Sequence, residues 1–279
     1  MREINAALIT DTVSRLAVEA NCLLPGDVKR RIEEARASEP WPTACGILDK
    51  MIENYGIAER DLVPICQDTG MCCVFLKIGQ DVHIAGDLKE AVDEGVRKGY
   101  TEGYLRKSVV KDPLRRVNTG DNTPAMLYTE IVPGDKLEIT VAPKGFGSEN
   151  MSRLAMLKPS DGIEGVKAFI LKTVEEAGPN PGPPVIVGVG IGGTFDKAAY
   201  LAKKALMRST DERNPDTFYA ELEAEMLDKI NSLGVGPQGL GGKTTALAVN
   251  IEQMPTHIAG LPVAVNINCH VTRHKIAVL

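Results

Sequence analysis

The sequence predicts a mixed α/β fold (α+β), with a helical N-terminal part followed by mixed sheets covered by helices. Three observations carry that prediction. Apolar residues in the first 60 positions recur at helical spacing. From about residue 71 onward, short apolar or alternating runs take turns with helical stretches. Glycine and proline clusters sit where the period changes. With 279 residues, 43% of them hydrophobic, the chain is long enough to bury a substantial core, and it reads as one domain over 1–279.

In the helical part, Ile4, Ala7, Leu8, Val13, Leu16 and Ala17 predict a helix over 3–20. A charged helix over 26–37 follows Pro25, and Ala44, Ile47, Leu48, Met51 and Ile52 give an amphipathic helix over 42–56. The first 60 residues are thus expected to be all-helical. A strand follows at about 71–78, in which Cys72 and Cys73 point to opposite faces. Asp87, with Glu90 three residues on, starts a helix running to about 105. Arg106 and Lys107 follow it, then a polar loop from Arg115 to Pro124. Strands at 126–132 and 136–142 are read as a hairpin joined at Pro133-Gly134-Asp135. The second half predicts helices over 163–177, 196–207 and 216–231, and strands at 185–188, 244–251 and 261–268. No internal repeat is visible.

Composition narrows the function. Charged residues are 25% of the chain and the net charge is −5, with no basic patch of the kind that binds nucleic acid. No apolar run approaches the roughly 18–20 residues that span a bilayer. The polar start Met1-Arg2-Glu3-Ile4-Asn5 lacks a leader's apolar segment, which points to the cytoplasm. Six cysteines in a reducing compartment are core residues, nucleophiles or metal ligands. The histidines are His83, His257, His270 and His274, and no zinc-type Cys-x-x-Cys pair occurs.

The chain is organised around Cys66-Gln67-Asp68-Thr69-Gly70, where a thiol, an amide, a carboxylate, a hydroxyl and a permissive glycine stand in a row before a strand. Gly188-Val189-Gly190-Ile191-Gly192-Gly193 fits a dinucleotide-binding pattern, but it follows two prolines and no acidic residue ends a strand about 20 positions on. Close backbone approach or tight helix–sheet packing is the better reading. Gly239 to Thr245 resembles a phosphate loop, yet Pro237 stands where the first glycine is required. Its glycines are left with the capacity to offer N–H groups to an anion. Cys269-His270-Val271-Thr272-Arg273-His274 follows an alternating strand, and two strand-end thiols, Cys66 and Cys269, are the kind of residue that binds soft metal or an iron–sulfur cluster.

Together ICQDTG (65–70), VNTGDNTPA (117–125), KGFGSEN (144–150), PPVIVGVGIGGT (183–194), GLGGKTTAL (239–247) and NCHVTRH (268–274) resemble the α subunit of the iron–sulfur hydro-lyases, the class I fumarases and L-tartrate dehydratases. The resemblance covers nearly the whole chain with its motifs in order. It implies a 4Fe–4S cluster on three cysteines, with Cys66 and Cys269 as two of them. The third position, before Pro183-Pro184, is Gly182 here, which has no side chain to donate. It further implies substrate contacts from Gln67, Asp68, Arg106, Gly147 and His257, with Asp68 and His257 as the candidate proton-transfer groups. Arg106 suits a dicarboxylate because a guanidinium binds carboxylates bidentately. The implied reaction is hydration of fumarate to malate, or alternatively dehydration of L-tartrate. A separate β subunit is expected, in an (αβ)2 assembly. The rivals are a nucleotide-binding oxidoreductase built on Gly188–Gly193 and a scaffold without a cluster.

Overall fold

The structure is a computed structural model describing residues 1–279. In chain order the elements are β1 (Arg2–Asn5), α1 (Ala6–Cys22), α2 (Gly26–Ser38), α3 (Pro42–Asp61), β2 (Met71–Gly79), β3 (Val82–Ala85), α4 (Leu88–Glu102), β4 (Met126–Val132), β5 (Leu137–Lys144), α5 (Phe146–Glu149), β6 (Arg153–Leu157), α6 (Gly162–Ala177), β7 (Val185–Gly193), α7 (Phe195–Ala205), α8 (Thr217–Asn231), β8 (Ala246–Thr256), β9 (Leu261–Asn268) and β10 (Lys275–Val278). They group into two compact units. The first comprises Met1–Leu24, Tyr55–Phe146 and Arg273–Leu279, and the second Pro25–Asn54 and Gly147–Thr272. No change of composition marks these crossings, which is why the sequence reads as one stretch. No helix is long and apolar enough to cross a membrane.

The first unit is built on a four-stranded sheet in the order β10-β5-β2-β4. Alternation puts Cys72, Val74 and Leu76 of β2 and Leu137, Ile139 and Val141 of β5 on one face. Ile9, Val13 and Leu16 of α1 and Val92, Val96 and Tyr100 of α4 cover them. Each such side chain, once buried, contributes about 1.5–3 kcal/mol. Helix α4 carries a glycine every fourth residue where it meets α1. A Cβ on Gly95 would come within 2.7 Å of the Thr10 carbonyl oxygen, and one on Gly99 within 2.8 Å of that of Ser14. Glycine inside a helix costs about 1 kcal/mol relative to alanine, so the repeat reflects backbone-to-backbone packing. Asp87 caps α4 as expected, its Oδ1 accepting from the Glu90 amide at 2.9 Å.

Two expectations are corrected in this unit, and one further strand appears. The hairpin at Pro133-Gly134-Asp135 does not form: β4 lies parallel to one side of β2 and β5 antiparallel to the other. The turn instead passes over the end of β2. Gly79 donates to the Lys136 carbonyl at 2.9 Å, and a Cβ on it would come 2.3 Å from the Gly134 carbonyl oxygen. Strand β2, apolar from Met71 to Leu76, is a centre strand, and its demand for two neighbours overrides the local turn signal. Arg2–Asn5 is a strand, not helix, because it pairs in parallel with β3. The further strand is Lys275–Val278, which pairs antiparallel with β5.

The second unit repeats the strand plan in a sheet ordered β6-β9-β7-β8, with β7 parallel to β8 and antiparallel to β9. Its core joins Val185, Val187, Val189 and Ile191 to Val166, Ile170 and Val174 of α6 and Leu222, Met226 and Ile230 of α8. The glycines of Gly188–Gly193 lie within β7. Gly188 and Gly190 receive α7 on the other face: added Cβ atoms would come 2.2 Å from the Ala202 carbonyl oxygen and 2.1 Å from that of Ala198. The pattern is therefore helix-on-strand packing, with the period-two glycines forming one face of a strand.

Gly190→Val is expected to lower stability by at least ~1–3 kcal/mol, because the helix must lift from the strand. Gly46→Ala, a helical position where a Cβ meets nothing within 4 Å, is expected to be neutral or stabilising by up to ~1 kcal/mol. Urea unfolding midpoints of the two variants check this contrast.

Candidate functional site

In the first unit the loop Cys66–Gly70 enters β2 where the chain leaves β5. Gly70 adopts φ +72°, and a Cβ on it would come 2.6 Å from the Lys144 carbonyl, so only glycine lets the loop lie against that strand end. The Asp68 carboxylate spans the same junction. Its Oδ1 accepts from the Gly70 amide at 3.0 Å and its Oδ2 from the Phe146 amide at 2.9 Å. The Cys66 thiol donates to Gln67 Oε1 at 3.4 Å, and the Asp68 amide donates to Cys66 Sγ at 3.4 Å. Gln67 is exposed and Cys66 partly so.

Three buried side chains hold this loop in place. The Tyr100 hydroxyl donates to the Thr69 carbonyl at 2.7 Å and to the Gly70 carbonyl at 3.2 Å. Asn122, fully buried, donates to the Gly70 carbonyl at 3.1 Å and accepts from the amides of Ser108 and Val109 at 2.7 and 3.2 Å. The Thr69 hydroxyl donates to the Arg106 carbonyl at 3.1 Å and accepts from the Arg106 amide at 2.8 Å. Thr69 thereby fixes the backbone of Arg106 beside Gln67 and Asp68 and leaves its side chain exposed. Helix α4 has already ended at Glu102, so Arg106 is not a last-turn charge on that helix. Sequence reasoning missed Tyr100 and Asn122, neither of which carries a chemical signature of its own. Asn122 takes φ +65°, a conformation in which asparagine is enriched.

The loop that carries Asn122 is secured by Asp121. Its Oδ1 accepts from the Thr123 amide and hydroxyl at 3.0 and 2.8 Å, and its Oδ2 from Arg97 Nε at 3.1 Å. Burial alone pushes this carboxyl up, but the Thr123 and Arg97 donors outweigh it and hold the pKa down at about 2.

In the second unit the corresponding junction joins the loop entering β7 to the chain leaving β9. Gly182, at φ +73°, has Cys269 and His270 as neighbours. A Cβ at 182 would lie 3.6 Å from Cys269 Cβ and 3.9 Å from His270 Nδ1, and His270 Nδ1 is 3.1 Å from the Gly182 carbonyl oxygen. Gly147 borders the same loop, its added Cβ falling 3.8 Å from the Asn180 carbonyl oxygen. His257 does not join this junction. It is exposed in the turn before β9, whereas Cys269 follows that eight-residue strand, a separation of roughly 25 Å at about 3.3 Å per residue. Its Nδ1 accepts from the Ala259 amide at 3.2 Å, which leaves the proton of the neutral ring on Nε2.

The glycine-rich 236–242 segment offers no anion nest. The amides of Gly239 and Gly241 donate to the carbonyls of Gly236 and Val235, both at 3.0 Å, that of Gly236 to Thr245 Oγ1 at 3.1 Å and that of Lys243 to Glu39 Oε2 at 2.7 Å. These donors are used in bracing the loop.

The residues present do not fit a three-thiolate cluster. Gly182 has no donor atom, and its positive φ is one that cysteine rarely adopts. Cys22, Cys72 and Cys73 are buried in the first unit, and burial raises the pKa of Cys22 and Cys72, keeping both as thiols. Cys45 donates to the Glu39 carbonyl at 3.2 Å. Nowhere do three or more His, Cys, Asp or Glu side chains form a metal-holding group.

Comparison with known proteins agrees in one direction. The family model described as fumarate hydratase (Fumerase) matches residues 10–278. A Methanocaldococcus jannaschii protein provisionally named L(+)-tartrate dehydratase subunit alpha is 49% identical over 275 residues, covering 96% of either chain. L(+)-tartrate dehydratase subunit alpha from Escherichia coli strains UTI89 and K12 is 32% identical over 265 residues, covering 94% of this chain and 87% of its own.

Asp121→Asn is expected to lower stability at pH 7 by on the order of 1 kcal/mol. Its carboxyl titrates lower in the folded state, at about 2, than its ordinary 3.8. The contribution is therefore complete above pH 3.8 and is lost as pH falls through about 2. Urea titrations of both proteins from neutral to acid pH should show the gap closing over that window, and a constant gap would refute the assignment.

Proposed function

Because the chain belongs to the fumarate hydratase (Fumerase) family of hydro-lyases, we propose that it is the alpha subunit of an enzyme that eliminates water from a four-carbon hydroxydicarboxylate, with L-tartrate as substrate. One geometric observation supports the site: the Thr69 hydroxyl joins the loop bearing Gln67 and Asp68 to the backbone of Arg106. An amide, a carboxylate and a guanidinium thus share one rigid support. The choice of tartrate over fumarate and malate, the reaction the sequence first suggests, rests on the names of the relatives. Those names include the words "subunit alpha", so the reading includes a second subunit, in an assembly of two of each.

Elimination removes a proton from the carbon next to a carboxylate, and the hydroxyl on the adjacent carbon takes up a proton and leaves as water. Negative charge builds on that carboxylate, and a fixed cation lowers the barrier most when aimed at the developing charge. Arg106 supplies the cation, and its planar fork orients the carboxylate. Gln67, exposed on the same loop, offers an amide to a substrate hydroxyl or carboxylate oxygen. Asp68 is the proton acceptor in this reading: two backbone amides orient its carboxylate, and each oxygen keeps a further lone pair. No step is routed through a cluster, since the donors for three thiolates are not all present.

Two measurements test this reading. In a coupled assay of the chain with its partner subunit, kcat/KM for L-tartrate is expected to exceed that for malate, and the opposite order would return the assignment to fumarase. After anaerobic reconstitution, Gly182→Cys is expected to hold more iron and sulfide per chain than the wild type. Equal contents in the two proteins would show that position 182 has no part in metal binding.

A further inference from the structure

The segment that follows α4 concentrates positive charge in a chain whose net charge is −5. Residues 106–116 hold five cations, Arg106, Lys107, Lys111, Arg115 and Arg116, against one carboxylate, Asp112. Arg106, Lys111, Arg115 and Arg116 are exposed, and Lys107 is half-buried. Arginines elsewhere hold a carboxylate, as Arg15 does Glu19, Arg36 Asp49 and Arg60 Asp61. None of these five side chains forms an ion pair within the chain. The one acid is engaged in the turn itself. Asp112 Oδ1 accepts from the amides of Leu114 and Arg115 at 3.0 and 2.6 Å.

A stiff arm carries this charge. Val110 bridges Asn118 in antiparallel fashion, the Lys111 amide donates to the Val117 carbonyl at 2.7 Å, and the Thr119 amide donates to the Val109 carbonyl at 2.9 Å. Asn118 Nδ2 donates to the Lys107 carbonyl at 2.8 Å. At the base, Asn122 ties the amides of Ser108 and Val109 to the Gly70 carbonyl. The arm therefore shares an anchor with the loop of Gln67 and Asp68, and Arg106 stands at its start. Arg116 takes φ +61°, where asparagine or glycine would be less strained.

We propose that Lys107, Lys111, Arg115 and Arg116 form an electrostatic guide that draws the dianionic substrate to Arg106. The assignment rests on the hydro-lyase reading above. A guide acts through its field and needs no contact. Lys111 lies at most roughly 16 Å from Arg106 along the arm, five residues at about 3.3 Å each. The bond between Lys111 and Val117 returns Arg116 to the same neighbourhood. At about 0.01 M salt the screening length is ~30 Å and the distal cations reach the site, whereas at about 1 M it is ~3 Å and they do not. Three unit charges acting at that range in water favour a dianion by about fivefold at low salt. The arm also exposes Leu114 and Val117, residues that a docked protein surface would cover, and the test separates that use.

The test uses the chain assembled with its partner subunit and compares the wild type with Lys111→Gln/Arg115→Gln/Arg116→Gln. For L-tartrate at low salt, kcat/KM of the variant is expected to be about fivefold lower, kcat to stay within about twofold, and the two proteins to converge near 1 M salt. Succinate and butyrate, neither of which can react, serve as competitive inhibitors. The fold-change for the dianion is expected to be about the square of that for the monoanion, because a field acts in proportion to charge. Arg115→Gln alone is expected to give about a third of the logarithmic effect, and it guards against a triple variant that does not fold. A difference that persists at high salt, equal changes for the two inhibitors, or separation of the variant from its partner on gel filtration overturns the guide and leaves the hydro-lyase reading intact. A wild type that turns over neither tartrate nor malate and is not inhibited by succinate overturns the reading and the guide together.

Discussion

The architecture depends on one close approach of backbone to backbone, made once in each unit. A centre strand has its next strand parallel on one side and the strand after that antiparallel on the other, so the connection must cross the centre strand's end. At Gly79 the crossing leaves 2.3 Å between a hypothetical Cβ and the Gly134 carbonyl oxygen, and at Gly192, near the corresponding end of β7, the gap to the carbonyl oxygen of its β8 partner Met254 is 2.0 Å. No side chain fits in either gap. At the opposite end of each centre strand, the loop that enters it meets the chain leaving the antiparallel neighbour. In the first unit that junction joins Cys66–Gly70 to Lys144–Phe146, and in the second it joins the Gly182 loop to Cys269 and His270. The crossing occupies one end of the sheet and the candidate chemistry gathers at the other.

The first junction is stiff for a reason that is not itself chemical. Tyr100 and Asn122 donate to backbone carbonyls of the loop, and Asn122 and Thr69 tie it to the backbone of Ser108, Val109 and Arg106. Such a network is worth more in a buried setting than its members are separately. The side chains that could touch a substrate, Gln67 and Arg106, are exposed and rest on this base. The arrangement matches the general requirement that reactive groups be positioned by residues that do not react.

Much of this was legible from residue spacing. The helices α1 to α4, the cap at Asp87 and the strands at 71–79 and 261–268 follow from periodicity and turn chemistry. The dinucleotide-like glycines were better explained as packing, and Gly188 and Gly190 beneath α7 are that packing. What local reasoning could not reach was pairing at long range. Pro133-Gly134-Asp135 looks like a hairpin turn because nothing within a few residues reveals that β2 lies between the strands it connects. Arg2–Asn5 and Lys275–Val278 are too short to show a period, and they become strands only because β3 and β5 offer edges. The glycines of α4 carry a readable signal, recurring every fourth residue. Of the site, the Cys66–Gly70 loop and Arg106 were visible from sequence, whereas Tyr100 and Asn122 were not, because an unremarkable hydrogen-bonding side chain acquires its role only from its surroundings. The single domain expected from composition has no counterpart signal at residues 24, 54, 146 or 272, where the chain passes between units.

Strand β10 also bears on how the protein is made. It closes the sheet of the first unit by pairing with β5, yet it emerges from the ribosome only after every residue of the second unit. The first unit must therefore wait with the edge of β5 unpaired, a state in which an exposed strand can recruit the wrong partner. A fusion or truncation at the C-terminus would bear directly on the unit that holds Asp68 and Arg106. Neither unit can be expressed as a single uninterrupted stretch of gene.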